Sequence, residues 1–170
     1  GYLFSPMSRT YTNVTSNQTN MNFTASLVCN ISGRVKTAEG VGIEGVTVNF
    51  SAGGGTATTD SSGYYSHPVS YRWSGTATPS KACYAFSPAS RTYADVTTDH
   101  TNQDYTAAKL TYTISGTVRL ASSSAPLAGV EMKGLPGNPT TNASGYYEVT
   151  VDCGWSGTAS PFRERHVFSP

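Results

Sequence analysis

The chain contains an internal repeat of 82 residues, and this repeat sets the size of the domains it can form. The tripeptide Phe-Ser-Pro begins at Phe4, Phe86 and Phe168, in steps of 82 residues, and "SRTY", "SGYY" and "WSGTA" each recur once at the same step. Solenoid repeats run at roughly 20–50 residues, whereas this period is that of a small domain. We therefore predict residues 1–27 as the C-terminal strands of a preceding repeat (or donor strands), 28–110 as a complete repeat, and 111–170 as a repeat without its final strands.

Apolar residues alternate with polar ones throughout the repeat. In "ISGRV" the residues Ile31 and Val35 share one face, and the copy "ISGTV" places Ile114 and Val118 in the same way. Alternation in short segments separated by Gly, Asp and Asn turns is typical of half-buried strands. The sequence predicts an all-β protein of tandem Ig-like or prealbumin-like β-sandwich domains, each of about seven strands. Its predicted core comprises Ile31, Val35, Val46, Val48, Tyr65, Trp73, Phe86 and Tyr105.

The order of these motifs resembles a known family. I-S-G-x-V, a Gly/Pro loop, G-V-x-V and T-T-[DN]-x-x-G-Y-Y follow one another over residues 31–65 and again over 114–147. This order is similar to that of the carboxypeptidase regulatory-like modules, which are close to the Cna-B stalk repeats. The resemblance implies a prealbumin-like sandwich that serves as a noncatalytic spacer, stalk or adhesive element of a secreted or cell-surface protein. It also raises an isopeptide crosslink from Lys36 to Asn102 or Asp104, which Arg119 could not form in the second repeat because an arginine stays protonated.

Composition excludes several classes of function. Charged residues make up 12% of the chain and the net charge is +1, so the basic stripe of a nucleic-acid-binding protein is absent from the sequence. No apolar run reaches the ~20 residues of a membrane span. Abundant Ser and Thr with few charges suit an extracellular or cell-surface β module.

The sequence offers no catalytic constellation that recurs in both repeats. His67, His100 and His166 occupy unrelated positions, and His67 is expected to be a partly buried structural residue because it aligns with Val149. The Asp60 carboxylate is of a type that can bind calcium, but calcium takes several carboxylates and the second copy has neutral Asn142 at this position. We expect no catalytic residues, no metal, no cofactor and no enzymatic activity.

Cysteines and sequons suggest two covalent modifications. The chain has three cysteines, which fit either one disulfide or three thiols, and Cys29 with Cys83 is the preferred pair because both lie in the complete repeat. N-x-[ST] sequons cluster at Asn13, Asn17 and Asn22, which are the candidate glycosylation sites.

Two functions follow from the repeat. The first is a structural module whose partners are neighbouring repeats or other copies of the chain, with head-to-tail strand complementation into a filament as a hypothesis. Residues 111–170 lack the equivalent of residues 90–107, and "RTYTNV" and "TNMNFTA" in the tail supply that sequence. The second is an adhesin or carbohydrate-binding module appended to a secreted enzyme, with a polysaccharide ligand. Burial of Trp73 and Trp155 favours the first function, and an exposed aromatic strip favours the second.

Overall fold

A computed structural model describes residues 1–168, so the last two residues of the third Phe-Ser-Pro lie outside the described part. The described chain is all-β, as predicted, and divides into two compact units, with the boundary between Ala108 and Lys109. Its strands, in chain order, are β1 (Tyr2–Ser5), β2 (Thr24–Lys36), β3 (Thr47–Phe50), β4 (Gly55–Thr58), β5 (Tyr64–Ser70), β6 (Trp73–Ser80), β7 (Tyr84–Ser87), β8 (Arg91–Val96), β9 (Tyr105–Lys109), β10 (Thr111–Thr117), β11 (Glu131–Lys133), β12 (Tyr146–Asp152) and β13 (Ser160–Phe162).

Unit 1 is a sandwich of two sheets. One sheet has the order β1-β2-β9-β7, with β5 also paired to β2, and the other has the order β4-β3-β6-β8. β2 and β5 are antiparallel, whereas β2 and β9 are parallel, with Val35 opposite Tyr105. The first and last strands of the sandwich are therefore neighbours that run in the same direction.

The core of unit 1 confirms the alternation found in the sequence. Seven of the eight predicted core residues are buried, and Phe86 is half-buried against them. Trp73 is 7% exposed and donates a hydrogen bond from Nε1 to the Ser51 carbonyl oxygen at 3.1 Å. Burial of these large side chains between two sheets supplies most of the stabilisation expected for such a fold.

Unit 2 repeats part of this arrangement. β10 pairs with β12 in the register that β2 has with β5, because Gly116 faces Tyr147 as Gly33 faces Tyr65. A second small sheet pairs β11 with β13. Within the described residues, the main core cluster of this unit has four buried side chains with half-buried residues around them: Leu127, Val130, Met132 and Leu135, surrounded by Ile114, Val118, Leu120, Tyr147, Val149, Trp155 and Phe168.

The N-terminal tail, residues 1–27, belongs to unit 1. β1 pairs with residues 24–27, the first part of β2, and residues 6–23 between them contain no strand. The 13 residues of β2 therefore run from the tail into the sandwich without interruption.

Candidate assembly surface

One segment near the end of unit 1 covers the edge of β2. Ser32 N–H donates to the His100 carbonyl at 2.8 Å, and Gln103 N–H donates to the Ser32 carbonyl at 2.9 Å. On either side of Ser32, two carboxylates complete the row: Asp99 Oδ1 accepts from Asn30 N–H and Asp104 Oδ1 from Arg34 N–H, both at 2.8 Å. The backbone edge of β2 is satisfied in this way from Asn30 to Arg34.

Tyr105 anchors this segment in the core. Its ring is fully buried, and its hydroxyl donates to the Ala77 carbonyl at 2.9 Å. Arg91 lies over the ring, 5.5 Å from its centroid, and donates to the Asp104 carbonyl at 2.7 Å. Burial raises the pKa of Tyr105 above its usual range, so the residue is a neutral core phenol.

Gly33 is the point of closest approach between β2 and the covering segment. A Cβ at this position would lie 2.4 Å from the Gln103 carbonyl oxygen. Tyr65 donates its hydroxyl hydrogen to the same oxygen at 2.6 Å. Glycine is required here because the backbone of residue 103 passes directly over it.

Lys36 and Asp104, a pair that the family resemblance suggests for an isopeptide bond, form a salt bridge with 3.0 Å between Nζ and Oδ2. Both side chains remain more than one third exposed. Partial burial alone would raise the pKa of Asp104, but hydrogen bonds from the Lys36 side chain and Arg34 N–H outweigh it, and the net pKa is lowered. The arrangement favours the ionised pair over the neutral groups that amide formation needs.

The corresponding edge in unit 2 has no covering segment within residues 1–168, since β10 pairs there with β12 alone. Gly116 corresponds to Gly33, yet the atoms nearest to a Cβ at Gly116 are the hydroxyl oxygen and ring atoms of Tyr147. Beside this edge lies an open groove of about 350 Å³. Its apolar lining includes Val118, Leu120, Leu127, Met132, Tyr147 and Phe168.

The tail has the local structure of the segment that covers β2. β1 pairs with the start of β2 as β7 pairs with β9, one repeat later. Arg9 donates to the Asn22 carbonyl at 3.1 Å and lies 5.6 Å from the Phe23 ring centroid, which repeats the contacts of Arg91 with Asp104 and Tyr105. Asn20 has a φ of 60°, close to the φ of 57° at its counterpart Asn102.

The aromatic and aliphatic side chains of the tail are exposed, whereas their counterparts in the sandwich are buried. Phe23 is 49% exposed and corresponds to Tyr105, which is 0% exposed. Tyr11 and Val14 are also exposed, and they correspond to the buried residues Tyr93 and Val96. The tail therefore presents an apolar face of the kind that a sandwich core encloses.

The histidine and tryptophan side chains pack against neighbouring side chains or form hydrogen bonds to the backbone. His67 is half-buried as predicted, stacks on Phe50 and bonds through Nε2 to the Gly54 carbonyl at 2.6 Å. His100 contacts Tyr93 edge-on, and exposed His166 bonds to the Glu164 carbonyl. Trp155 is half-buried against the core of unit 2.

The predicted Cys29–Cys83 disulfide is wrong. Cys29 is a free thiol enclosed in the sandwich core, with its Sγ 3.8 Å from the Val96 carbonyl oxygen. Cys83 lies in the turn before β7, and Cys83 and Cys153 are both disulfide-bonded. Membership of the same repeat was a poor guide because Cys29 points between the sheets and Cys83 lies in a surface turn.

Asn13, Asn17 and Asn22 are exposed, and their glycosylation stays a prediction. Within residues 1–168, no three His, Cys, Asp or Glu side chains are grouped to hold a metal ion. In the same range, no helix has the length and apolar character to cross a membrane.

Sequence reasoning missed a buried threonine in each unit. Thr59 Oγ1 donates to the Ile43 carbonyl at 2.7 Å and accepts from Val46 N–H at 2.9 Å. Thr141 makes the same pair of bonds with Leu127 and Val130. The signal was present, because "TT" precedes Asp60 and Asn142 in both copies.

Comparison with known proteins indicates the fold alone. No protein-family model and no curated protein matches the sequence. Among solved structures, the chain is similar to the Bacillus anthracis TIE protein, with a TM-score of 0.56 and 13% sequence identity. The similarity covers 82% of this chain and 31% of that one, so the chain spans about a third of its length. That protein is also β-rich.

Proposed function

We propose that this chain is a noncatalytic structural module that adds length to a secreted or cell-surface protein. The observation that carries the proposal is the parallel pairing of β2 with β9. Because the first and last strands of the sandwich run in the same direction, the chain enters the unit at one end and leaves it at the other. A unit connected in this way extends an array, whereas one with both termini at the same end forms a side appendage.

The entry to the sandwich is also stiff. β2 pairs with β1 over residues 24–27 and with β5 over Val28–Arg34, so hydrogen bonds hold the strand on both sides of the join. Tyr71 N–H adds a bond to the Leu27 carbonyl at 3.0 Å. A flexible linker would instead be rich in Gly and Ser and free of such bonds.

Electron-spin distance measurements test this spacer geometry. Labels on the exposed side chains of Ser26 and Thr106 should give one narrow distance distribution near roughly 30 Å, which is the rise of about ten strand residues. Insertion of Gly-Gly between Leu27 and Val28 is the control and should broaden the distribution. A broad distribution in the unaltered chain, or a mean far below this value, would contradict the proposal.

The proposed location rests on cysteine chemistry and on the family resemblance. Cys83 and Cys153 are disulfide-bonded, and disulfides persist in oxidising compartments. Alkylation of cells before lysis, followed by mass spectrometry, should find Cys83 and Cys153 of the natural protein protected from alkylation, as disulfide-bonded cysteines are. A natural protein with three alkylated thiols would contradict an oxidising location.

The alternative, a carbohydrate-binding module, has one supporting observation. Tyr64 is exposed on a shallow polar groove that is also lined by Arg34, Thr101, Asn102 and Asp104. An exposed aromatic face among polar groups suits a sugar ring. Titration of soluble polysaccharides should then show binding that Tyr64→Ala removes and Tyr71→Ala, at another exposed tyrosine, retains.

A further inference from the structure

We propose that unit 1 bears tension along the chain, through a row of hydrogen bonds between β2 and residues 99–106. The inference rests on the proposed function, because a spacer within an array passes any pull from one neighbour to the next. The chain enters the sandwich by β2 and leaves it by β9, and these two strands are parallel. A pull along the chain therefore draws β2 and β9 in opposite directions along their common axis.

The backbone bonds of this row lie between the middle of β2 and the segment before β9. His100 N–H donates to the Asn30 carbonyl at 2.8 Å, and Ser32 N–H donates to the His100 carbonyl at 2.8 Å. Gln103 N–H then donates to the Ser32 carbonyl at 2.9 Å, and the row continues into the parallel pairing of β2 with β9. Hydrogen bonds between neighbouring strands lie across the strand direction, so sliding β2 past this segment loads the whole row at once.

Two carboxylates extend the row beyond its backbone bonds. Asp99 Oδ1 accepts from Asn30 N–H and Asp104 Oδ1 accepts from Arg34 N–H, both at 2.8 Å. Asp104 also accepts from Lys36, with 3.0 Å between Oδ2 and Nζ. Hydrogen bonds to a charged acceptor are stronger than those between neutral groups, so the two side chains reinforce the row at both ends.

Buried side chains hold both partners of the row in the core of unit 1. Ile31 and Val35 of β2 are fully buried, and so is Tyr105, which follows the covering segment. The Tyr105 hydroxyl donates to the carbonyl of Ala77 on β6, in the opposite sheet, at 2.9 Å. Sliding either partner means moving these side chains through close-packed surroundings. We therefore expect the row to break as one unit and not to peel from one end.

The other neighbour of β2 provides a comparison within the same unit. β2 and β5 are antiparallel, with Val28 opposite Ser70, and Tyr71 N–H donates to the Leu27 carbonyl at 3.0 Å just before this pair. A pull between Ser26 and Tyr71 opens that end first and then breaks the bonds of β2 one after another. Resistance in this peeling direction should be low, because each step breaks only a few hydrogen bonds.

Single-molecule force spectroscopy on the full chain compares the two directions. DNA handles are attached through p-azidophenylalanine, at Ser26 and Ala108 for sliding and at Ser26 and Tyr71 for peeling, and all three positions are exposed. At the same pulling speed, the unfolding force should be at least about twofold higher in the sliding direction, because the bonds of the row share the load. Equal forces in the two directions would overturn the proposal.

Variants of the carboxylates test whether this row bears the load. The double variant Asp99→Ala and Asp104→Ala should unfold about tenfold to a hundredfold faster under constant load in the sliding direction, as expected for the loss of hydrogen bonds to charged groups. Its rate in the peeling direction should change much less. The matched control Glu39→Ala, at an exposed carboxylate outside the row, should keep both rates unchanged. Equal effects of the double variant in both directions would overturn the proposal, because they would report the stability of the whole unit.

The comparison of directions needs neither variant, so it decides the proposal even where the double variant does not fold. The spacer itself is tested without load, by the distance between Ser26 and Thr106. A narrow distance distribution together with equal forces in the two directions would support the spacer and refute its role under tension. A broad distance distribution would refute the spacer whatever the forces are, so the two proposals fail separately.

Discussion

Asp60 and Asn142 occupy the same position in two copies of one turn and differ in charge. Asp60 Oδ1 accepts hydrogen bonds from Ser62 Oγ at 2.7 Å, Ser62 N–H at 2.8 Å and Tyr64 N–H at 2.9 Å. Asn142 Oδ1 makes the same three bonds with Ser144 and Tyr146. The turn therefore needs an oxygen acceptor, which either side chain supplies.

This difference predicts different responses to acid. The hydrogen bond from the Ser62 side chain, followed by the bond from Tyr64 N–H, lowers the pKa of Asp60 below its ordinary value of 3.8. A lowered folded-state pKa contributes stability that is present above the unfolded value and lost as the pH falls through the folded value. Asp60→Asn should therefore reduce the loss of unit 1 stability between pH 5 and about pH 2. Urea unfolding at each pH measures the stability of unit 1, with Trp73 fluorescence as the signal in a Trp155→Phe background. An identical acid response in both proteins would contradict this account.

Gly33 and Gly116 form a second matched pair of residues. Gly33→Val should destabilise unit 1 by about 2–3 kcal/mol, because the new side chain meets the Gln103 backbone. Gly116→Val should change the stability of unit 2 by less than about 1 kcal/mol, since the Tyr147 side chain can move and valine favours strands. Urea unfolding monitored through the tryptophan of each unit compares the two. Equal costs would show that the backbone of residue 103 is not what requires glycine.

At the scale of the element, the buried threonines connect the loop before β3 to the end of β4. Thr59→Val should cost about 1–3 kcal/mol, because it removes two hydrogen bonds and leaves the buried Val46 N–H without this acceptor. Thr59→Ser keeps the hydroxyl and should cost about 1 kcal/mol or less. Denaturant midpoints of the native protein and of the two Thr59 variants measure these changes in stability. A valine variant as stable as the native protein, together with a destabilised serine variant, would mean that the methyl group, and not the hydroxyl, stabilises this loop.

The strands of unit 1 could be predicted because alternation in the sequence reports directly on two faces of a strand. Ile31, Val35 and Tyr65 show the pattern in register in both copies. The disulfide could not be predicted, because Cys83 and Cys153 occupy positions that do not recur, and pairing depends on tertiary placement. The two hydrogen bonds of the Thr59 hydroxyl were not predicted, because threonine is abundant in the sequence and most threonines are exposed. For the candidate surface, the sequence identified the matching segments, but the enclosure of Tyr105 and the exposure of Phe23 required coordinates.

At the scale of the whole molecule, the two units differ in how completely they enclose their cores. Ile31 and Val35 are fully buried, whereas their counterparts Ile114 and Val118 are half-buried. We expect unit 2 to open more readily, with amide hydrogen exchange in β10 and β12 at least about tenfold faster than in β2 and β5. Exchange of the monomeric chain at low concentration, read by NMR, tests this. Equal protection of the two units would contradict the prediction.

The uninterrupted course of β2 through the join affects how recombination can alter the number of repeats in the gene. An in-frame duplication or deletion of 82 residues leaves each strand next to a neighbour of the same kind, wherever in the repeat the breakpoints fall. No separate linker has to be inherited with the domain, because the end of one repeat and the beginning of the next are a single strand. Recombination between copies can therefore alter the number of repeats in one step without producing a misfolded junction. Natural variants of this protein should differ in length by whole multiples of the repeat.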